Sequence, residues 1–110
     1  MDEHRVHEMA LALRAYRQEL LASNIANADT PGYKAVDIDV EETLRNRQSN
    51  IPTIPLRYHV PGQASIDGNT VEMDVERAKF AQNALMYEFA VDRVKGHYMH
   101  MMELLKDLKD

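Results

Sequence analysis

Histidine is the residue type in this sequence with the clearest capacity for chemistry, because four of its five histidines form two pairs. His4 and His7 lie three residues apart near one end of the chain, and His97 and His100 repeat that spacing near the other. On a helix each pair shares one face, and imidazole nitrogens are common zinc ligands. If each pair lies on a helix and these two helices run antiparallel, the four imidazoles meet at one end and form a candidate metal site. Solvated histidines at helix ends are the competing interpretation, which we favour because no supporting carboxylates are evident from sequence.

The other polar residues do not form a pattern that catalysis requires. The sequence has no cysteine, which excludes disulfides, thiolate metal sites and a cysteine nucleophile. His7-Glu8 is not flanked by the second histidine of a zinc-protease helix. The acidic stretch from Asp67 to Asp74 lacks the ligand spacing of a calcium-binding loop. Because no nucleophile, base and orienting group can be paired by position, we expect no catalytic residues, no enzyme activity and no cofactor.

Charge and hydropathy exclude two further classes of function. The 110 residues include 13 basic and 18 acidic side chains, for a formal net charge of −5, and the basic residues do not cluster. A nucleic-acid-binding surface would need such a cluster to neutralise phosphates. No apolar run approaches the roughly 20 residues of a membrane span, and the N-terminus lacks the pattern of a cleaved signal. We therefore expect no membrane insertion and, if the protein is exported, export without a cleaved signal peptide.

The elements that would position these side chains begin with an amphipathic helix predicted over residues 3–28. Its apolar residues recur three or four positions apart, as expected for one helix face. Thr30-Pro31-Gly32-Tyr33 then predicts a type II turn, because proline presets the first central φ and glycine accepts the positive second one. The apolar residues of this helix face are Val6, Met9, Leu13, Tyr16 and Leu20.

A second helix is predicted over residues 74–108, with Asp74 as its N-cap. Its apolar residues repeat every seven positions, and a repeat held at seven favours a left-handed supercoil with another helix. The repeat consists of Met73, Phe80, Tyr87, Val94, Met101 and Leu108.

The middle of the chain, residues 29–73, is predicted to be irregular with little β structure. Alternation of Val36, Ile38 and Val40 with aspartates favours a short half-exposed strand. The run from Asp39 to Glu42 is equally consistent with a capping box that opens a short helix through Leu44. The segment from Ser49 to Gln63 contains three prolines, so we expect it to be extended and mobile and not to form a helix or a central strand. Asp67-Gly68 is typical of a β-hairpin turn between Ser65-Ile66 and Thr70-Val71.

Together these elements predict a mostly α fold in a single domain spanning residues 1–110. Two long amphipathic helices would form an antiparallel hairpin or coiled coil, with an irregular, proline-containing middle and at most a small β-hairpin. Two helices cannot cover both flanks of each other, so we expect oligomerisation to complete the core, including in a crystal. The predicted helix seam consists of Leu13, Tyr16, Leu20, Phe80, Tyr87, Val94 and Met101.

Two stretches of the sequence resemble the signatures of one protein family. Asparagines three residues apart, followed by Thr-Pro-Gly-Tyr and a basic residue, rarely coincide by chance. The stretch Asn24-Ile25-Ala26-Asn27-Ala28-Asp29-Thr30-Pro31-Gly32-Tyr33-Lys34 resembles the end of the first helix in flagellar rod and hook proteins. The stretch from Asp67 to Arg77, followed by Phe80, Asn83, Leu85 and Tyr87, looks like the proximal rod proteins of that family.

The resemblance implies a non-enzymatic subunit of the bacterial flagellar basal body. Such a subunit is exported by the flagellar type III apparatus and polymerises through its terminal helices into the proximal rod in the periplasmic space. Its expected partners are copies of itself, other rod subunits, and components of the membrane ring and export gate. The resemblance also implies an assembly and turn motif made of Asn24, Asn27, Thr30, Pro31, Gly32 and Tyr33.

Three alternatives remain open from the sequence. Asn27 either fixes the register of the seam or simply ends the first helix. Tyr33-Lys34 either docks on a neighbouring subunit, as the resemblance favours, or only leads the chain out of the turn. At the level of function, the rival to a rod subunit is a soluble helical adaptor or chaperone-like coiled-coil protein that shares the turn motif.

Overall fold

The computed structural model describes residues 3–47, 54–62 and 65–108, which form three helices and a two-stranded sheet. None of the described helices is long and apolar enough to cross a membrane. The predicted fold class is confirmed: the protein is mostly helical, with one long helix near each end and a small sheet between them. In chain order the elements are α1 (Glu3–Ala26), β1 (Val36–Ile38), α2 (Val40–Arg45), β2 (Leu56–Tyr58) and α3 (Met73–Asp107).

The two long helices run antiparallel and contact each other along the whole of α1. At one end of the pair, the ring of His4 stacks on that of His97. Midway along, the side-chain amide of Asn83 donates to the backbone carbonyl of Arg14, at 2.8 Å. At the other end, Asn24 of α1 is hydrogen-bonded to Glu76 of α3. The order of these contacts is reversed between the helices, which confirms the predicted antiparallel hairpin.

The helix ends differ slightly from the prediction. Helix α1 ends at Ala26 instead of residue 28, and α3 begins at Met73 instead of residue 74. The predicted N-cap at Asp74 is wrong, since the capping position is Glu72 and no side chain caps it. Asp74 instead lies in the first turn of α3, where its negative charge is favourable next to the positive end of the helix dipole.

The hydrophobic core lies between α1 and the β1–α2 segment. Leu13, Ile38 and Val40 are buried there, and the partly buried side chains of Met9, Tyr16, Leu20 and Leu44 surround them. The line of α3 that is buried consists of Glu76, Asn83 and Ala90, which are seven residues apart but mostly polar. Of the predicted seam residues in α3, Phe80 and Val94 are partly buried, whereas Tyr87 and Met101 are exposed in the single chain.

Both alternatives for the segment after Val36 are present, one directly after the other. The strand β1 ends at Ile38, and Asp39 then caps α2 by accepting a hydrogen bond from the backbone amide of Glu42 at 3.0 Å. The reciprocal half of the predicted capping box does not form among the described residues. The carboxylate of Glu42 accepts instead from the guanidinium of Arg57 on β2.

The predicted hairpin around Asp67-Gly68 is wrong. The strand that pairs with β1 is β2, in an antiparallel register that sets Val36 opposite Tyr58 and Ile38 opposite Leu56. The Asp67-Gly68 turn does form, with a positive φ of 78° at Gly68. The backbone groups of Asp67 and Thr70, however, bond to Gly32 and Tyr33, and no strand pair forms across this turn among the described residues. The proline-containing segment is extended where it is described, and the predicted mobility of residues 49–53 and Gln63 concerns residues outside the described ranges.

Candidate assembly site

The residues of the predicted turn motif meet where the end of α1 approaches the start of α3. We call this region the turn junction and define it as residues 24–36 together with residues 67–76. It joins both long helices and the first strand through hydrogen bonds.

The Thr30–Tyr33 turn has the predicted geometry. The backbone amide of Tyr33 donates to the carbonyl of Thr30 at 3.2 Å, and Gly32 has a φ of 76°. Only glycine adopts that φ without steric cost, while Pro31 fixes the preceding φ. The turn therefore reverses the chain immediately after α1 and directs residues 34–36 back along it.

Asn24 joins three elements through one buried amide group. Its amide nitrogen donates to the carbonyl of Val36 at 2.8 Å and to the carboxylate of Glu76 at 2.9 Å. Its amide oxygen accepts from the backbone amide of Val36 at 3.1 Å and from the Tyr33 hydroxyl at 3.0 Å. Because both backbone groups of Val36 are satisfied by this side chain, Asn24 takes the place of a neighbouring strand at the outer edge of β1.

Asn69 provides a remote cap for the C-terminal end of α1. Its buried side-chain amide nitrogen lies 2.9, 3.0 and 2.7 Å from the carbonyl oxygens of Asn27, Ala28 and Thr30. These carbonyls follow Ala26, the last residue of α1, and those of Asn27 and Thr30 also accept from the backbone amides of Thr30 and Tyr33. Asn69 thus ties the end of α1 to the turn that follows it, and loss of its side chain would remove a hydrogen bond from each of these groups. The amide oxygen of Asn69 accepts from the backbone amide of Val71 at 2.8 Å, so this side chain is fixed at both ends.

Backbone bonds hold the two turns of the junction against each other. The amide of Gly32 donates to the carbonyl of Asp67 at 2.9 Å, and the amide of Thr70 donates to the carbonyl of Tyr33 at 3.0 Å. Lys34 reaches the carbonyl of Gly68 through its ammonium group. A Cβ atom at Gly68 would lie 3.7 Å from the Cα atom of Gly32, so the two glycines lie at the point where the turns touch.

Asp67 is the residue that shapes the second turn. Its carboxylate accepts from the Ser65 hydroxyl at 2.5 Å and from the backbone amide of Asn69 at 3.0 Å. These two hydrogen bonds, the Ser65 bond first, lower the pKa of Asp67 below its ordinary value. The turn is therefore built around an ionised aspartate, which orients Asn69 towards α1.

The open questions about Asn27 and Tyr33-Lys34 now have a geometric context. The side-chain amide of Asn27 donates to the carbonyl of Ser23 at 2.8 Å, which is the arrangement of a residue that ends a helix. The Tyr33 hydroxyl bonds to Asn24 and lies 3.1 Å from the Ser23 hydroxyl. The polar groups of these residues are thus used within the chain.

Two buried polar residues of α3 were not singled out as site residues from the sequence. Glu76 and Asn83 are fully buried between the long helices, and Asn83 donates to Gln18 at 2.7 Å as well as to the Arg14 carbonyl. One carboxylate oxygen of Glu76 and the amide oxygen of Asn83 have no hydrogen-bond partner among the described residues. Their seven-residue spacing was a signal in the sequence, but apolar residues are the ordinary candidates for a helix seam.

The antiparallel helices bring the predicted histidine pairs to the same end of the molecule. His4 and His97 stack with their ring centroids 3.6 Å apart, while His4 lies 3.0 Å from the Glu8 carboxylate and His7 lies 3.6 Å from that of Glu3. The exposed His100 does not join this group. The described residues contain no group of three or more histidine or acidic side chains arranged to hold a metal ion, so the candidate metal site gains no support.

Comparison with known proteins gives matches over α1 and the following turn, and over nearly the whole chain. A family model described as flagella basal body rod protein matches residues 5–34, which include most of α1 and the turn. The chain is 42% identical to the flagellar basal body rod protein FlgB of Escherichia coli K12, over 93% of this chain and 91% of that protein. It is 41% identical to FlgB of Salmonella typhimurium over the same shares, and 39% identical to FlgB of Cereibacter sphaeroides over 96% and 94%. Identity at this level over nearly the full length of both chains shows that the protein belongs to the FlgB family of flagellar basal body rod proteins.

Proposed function

We propose that this protein is a non-enzymatic structural subunit of the flagellar basal body rod and that it polymerises through its two terminal helices. The observation that carries this proposal is the unfinished apolar surface at the end of α3. The last described contacts of α1 with α3 involve His97 and Tyr98, and α3 continues from there to Asp107, roughly 13 Å further. We call residues 99–108 the apolar overhang. Its exposed apolar side chains are Met99, Met101, Met102, Leu104, Leu105 and Leu108.

A second apolar surface lies along the helix pair, on a flank that no sheet residue covers. A groove of about 490 Å³ is lined there by Ala15, Ala22, Phe80, Ala84 and Tyr87 together with polar side chains. Phe80 and Tyr87 belong to the seam predicted from the seven-residue repeat. Burial of such surfaces by helices of neighbouring subunits would supply the core that one chain lacks.

The finer features of the proposal follow from the family. We propose that the protein is exported without a cleaved signal peptide and resides in the rod within the periplasmic space. Its neighbours there would be copies of itself, other rod subunits, and components of the membrane ring and export gate. In this proposal the turn junction, with Asn24, Asn27, Thr30, Pro31, Gly32 and Tyr33, positions the two helices for assembly.

Replacement of the resident proximal rod protein in motile cells tests the proposal. We expect the intact protein to support rods and motility, whereas the double variant Met101→Glu, Leu105→Glu fails because charges on the apolar overhang prevent burial. Glu103→Gln is the matched control, since it changes an exposed polar residue of the same segment and should leave motility unchanged. Rods that form normally with the double variant would contradict assembly through the overhang.

The same experiment separates the rod subunit from the helical adaptor. If the intact protein never enters isolated basal bodies while a positive control does, the adaptor function is favoured. A Pro31→Ala, Gly32→Val double variant then tests whether the turn junction is required for incorporation into the rod. We expect it to abolish rod incorporation, because it removes the residues that allow the reversal after α1.

A further inference from the structure

The strand β2 leaves one edge of the small sheet open. The amide of His59 donates to the carbonyl of Ala35 at 2.9 Å, which fixes the phase of the antiparallel ladder. Inward-facing backbone groups alternate along a strand, so those of Arg57 and His59 face β1, and those of Leu56 and Tyr58 face away from it. The hydrogen bonds of Val36, which lies opposite Tyr58, agree with this alternation. Its backbone amide and carbonyl face away from β2 and bond to the Asn24 side chain.

The two edges of the sheet therefore differ in whether their backbone groups have hydrogen-bonding partners. The outer edge of β1 is closed by the Asn24 side chain and by α1, whereas the outward amides and carbonyls of β2 have no bonding partner among the described residues. Proline often protects an edge strand by removing outward-facing donors. Here Pro55 and Pro61 occupy positions whose backbone nitrogens face β1, as do those of Arg57 and His59. The outward-facing backbone N–H groups of Leu56 and Tyr58 therefore remain available as donors.

The side chains that accompany this open edge are apolar and exposed. Leu56, Tyr58 and Val60 share one face of the extended segment and are 47%, 66% and 85% exposed. Leu56 lies opposite Ile38, which is buried in the core, so this row continues the core side of the sheet beyond the cover of the helices. Exposed apolar side chains beside unpaired backbone groups are the two features by which a sheet edge accepts another strand.

Charge decides which strand fits. In β1, the strand of the same chain that pairs with β2, apolar Val36 and Ile38 flank Asp37, which lies opposite Arg57. Arg57 remains 58% exposed although it also pairs with Glu42. Antiparallel pairing of β2 with a second copy of β2, centred on residue 57, would set Arg57 directly opposite the same residue of the other copy. Like charges directly opposite each other destabilise a strand pair, whereas an acidic residue there is favourable.

We propose that the outer edge of β2 is a docking site for an extended strand of another protein, in which apolar residues alternate with acidic residues. The incoming strand would form hydrogen bonds with the outward groups of Leu56 and Tyr58. Its apolar side chains would cover the exposed row, and its acidic side chains would lie beside Arg57. This surface is separate from the apolar overhang, so the proposal stands or falls independently of assembly through the terminal helices.

A peptide with the sequence of residues 35–41, Ala-Val-Asp-Ile-Asp-Val-Glu, is a suitable probe because it has the required alternation. A labelled copy is titrated with the full chain and followed by fluorescence anisotropy. We expect saturable binding that weakens at least tenfold when lysine replaces the acidic residues of the peptide. Equal binding of the acidic and lysine peptides would overturn the charge requirement.

Tyr58→Pro removes one outward donor and leaves the inward ladder intact, and proline is compatible with an edge strand. Tyr58→Val is the matched control, since it keeps both the donor and an apolar side chain. We expect the proline variant to bind the peptide at least tenfold more weakly than the valine variant. Equal binding would overturn the proposal, because it would mean that the peptide exchanges with β1 instead of adding to the outer edge.

Two further measurements keep the test decisive if the proline variant does not fold. Peptides carrying N-methyl groups either on the apolar residues or on the acidic residues are compared on the unmodified protein. Only one edge of an added strand pairs, so we expect one methylated set to abolish binding and the other to preserve it; equal binding of both would overturn strand addition. Sedimentation of the unmodified protein should show no self-association that an excess of the acidic peptide disrupts. Such self-association would identify a second copy as the occupant and overturn the assignment to another protein.

Discussion

At the scale of single residues, buried side-chain amides replace backbone partners that the irregular middle of the chain does not supply. Asn24 satisfies both backbone groups of Val36, and Asn69 satisfies carbonyls at the end of α1. Each amide has one acceptor oxygen and two donor hydrogens, which suits it to backbone groups of either kind. Removing such an amide takes a hydrogen bond from several backbone groups at once.

Asn69→Ala should therefore destabilise the protein by about 2 kcal/mol, within the range for buried groups left without a hydrogen bond. The effect should appear as a lower midpoint in urea unfolding followed by circular dichroism. Asn46→Ala, at an exposed position after α2, is the matched control and should change stability by less than about 0.5 kcal/mol. Similar losses for both variants would contradict the capping role of Asn69.

Asp39 makes the stability of the protein depend on pH. Its pKa is lowered, chiefly by the hydrogen bond from the backbone amide of Glu42, so the folded state favours the charged carboxylate. The resulting stabilisation is complete above the ordinary aspartate pKa of about 4 and is lost as the pH falls through the lower folded-state value.

We expect Asp39→Asn to remove that part of the pH dependence while retaining the N-cap, because asparagine caps helices about as well as aspartate. The two proteins should therefore unfold with a different slope of stability against pH below the ordinary aspartate pKa and with the same slope above it. Urea unfolding of both proteins at a series of pH values from neutral to acidic measures these slopes. An unchanged slope in the variant would count against the assignment to Asp39.

At the scale of elements, the turn after α1 decides how the long helices meet. Gly32 has a φ of 76°. Apart from its chain neighbours, no atom of the described residues lies within 4 Å of the point that a Cβ atom would occupy, so backbone strain is what would oppose alanine there. Gly96 lies inside α3 with equally open space but in helical backbone. Substitution by alanine at Gly32 and at Gly96 thus separates the effect of turn strain on stability from the effect of helix propensity.

Gly32→Ala should cost about 1–2 kcal/mol, the penalty of a left-handed conformation for a residue with a Cβ atom. Gly96→Ala should stabilise the protein by about 0.5–1 kcal/mol, because alanine loses less entropy in a helix. Thermal unfolding of both variants beside the parent gives the two signs directly. A stabilised Gly32→Ala variant would show that the turn does not require positive φ.

At the scale of the whole molecule, the chain is long and thin, with extents of 69 × 30 × 18 Å, and the apolar cluster of its described residues, around Leu13, is small. The buried line of α3 is largely polar, while apolar residues remain exposed on the flank and on the overhang. In the proposed assembly, contacts with other chains would supply much of the helix stability, because packing of an apolar face stabilises helices more than propensity does.

Helix content should consequently rise with protein concentration, and the rise should be measurable by far-ultraviolet circular dichroism from micromolar to high micromolar samples. Met101→Glu with Leu105→Glu should reduce this dependence, whereas Glu103→Gln should preserve it. Full helicity in dilute samples of the parent protein would contradict the view that association completes the helices.

The sequence by itself determined the two long helices, the turn between residues 30 and 33, and the family. Apolar spacing reports directly on which residues share a helix face, and Pro31-Gly32 restricts the backbone wherever it occurs. The antiparallel arrangement was also predictable, since two amphipathic helices in a chain of this length have few other ways to cover each other. The motif around Asn24 was recognisable as a pattern, although the pattern did not reveal what Asn24 bonds to.

Only the tertiary structure decided which residues meet across the chain. The partner of β1 is the strand Leu56–Tyr58, which lies within the proline-containing segment. Local turn signals at Asp67-Gly68 favoured a different pairing. The burial of Glu76 and Asn83 was hidden because polar residues are ordinarily assigned to the solvent side of a helix. Asn69 became a cap for α1 through contacts about forty residues away in the chain. Pairing and capping over such distances depend on the relative positions of elements, which spacing along the chain does not encode.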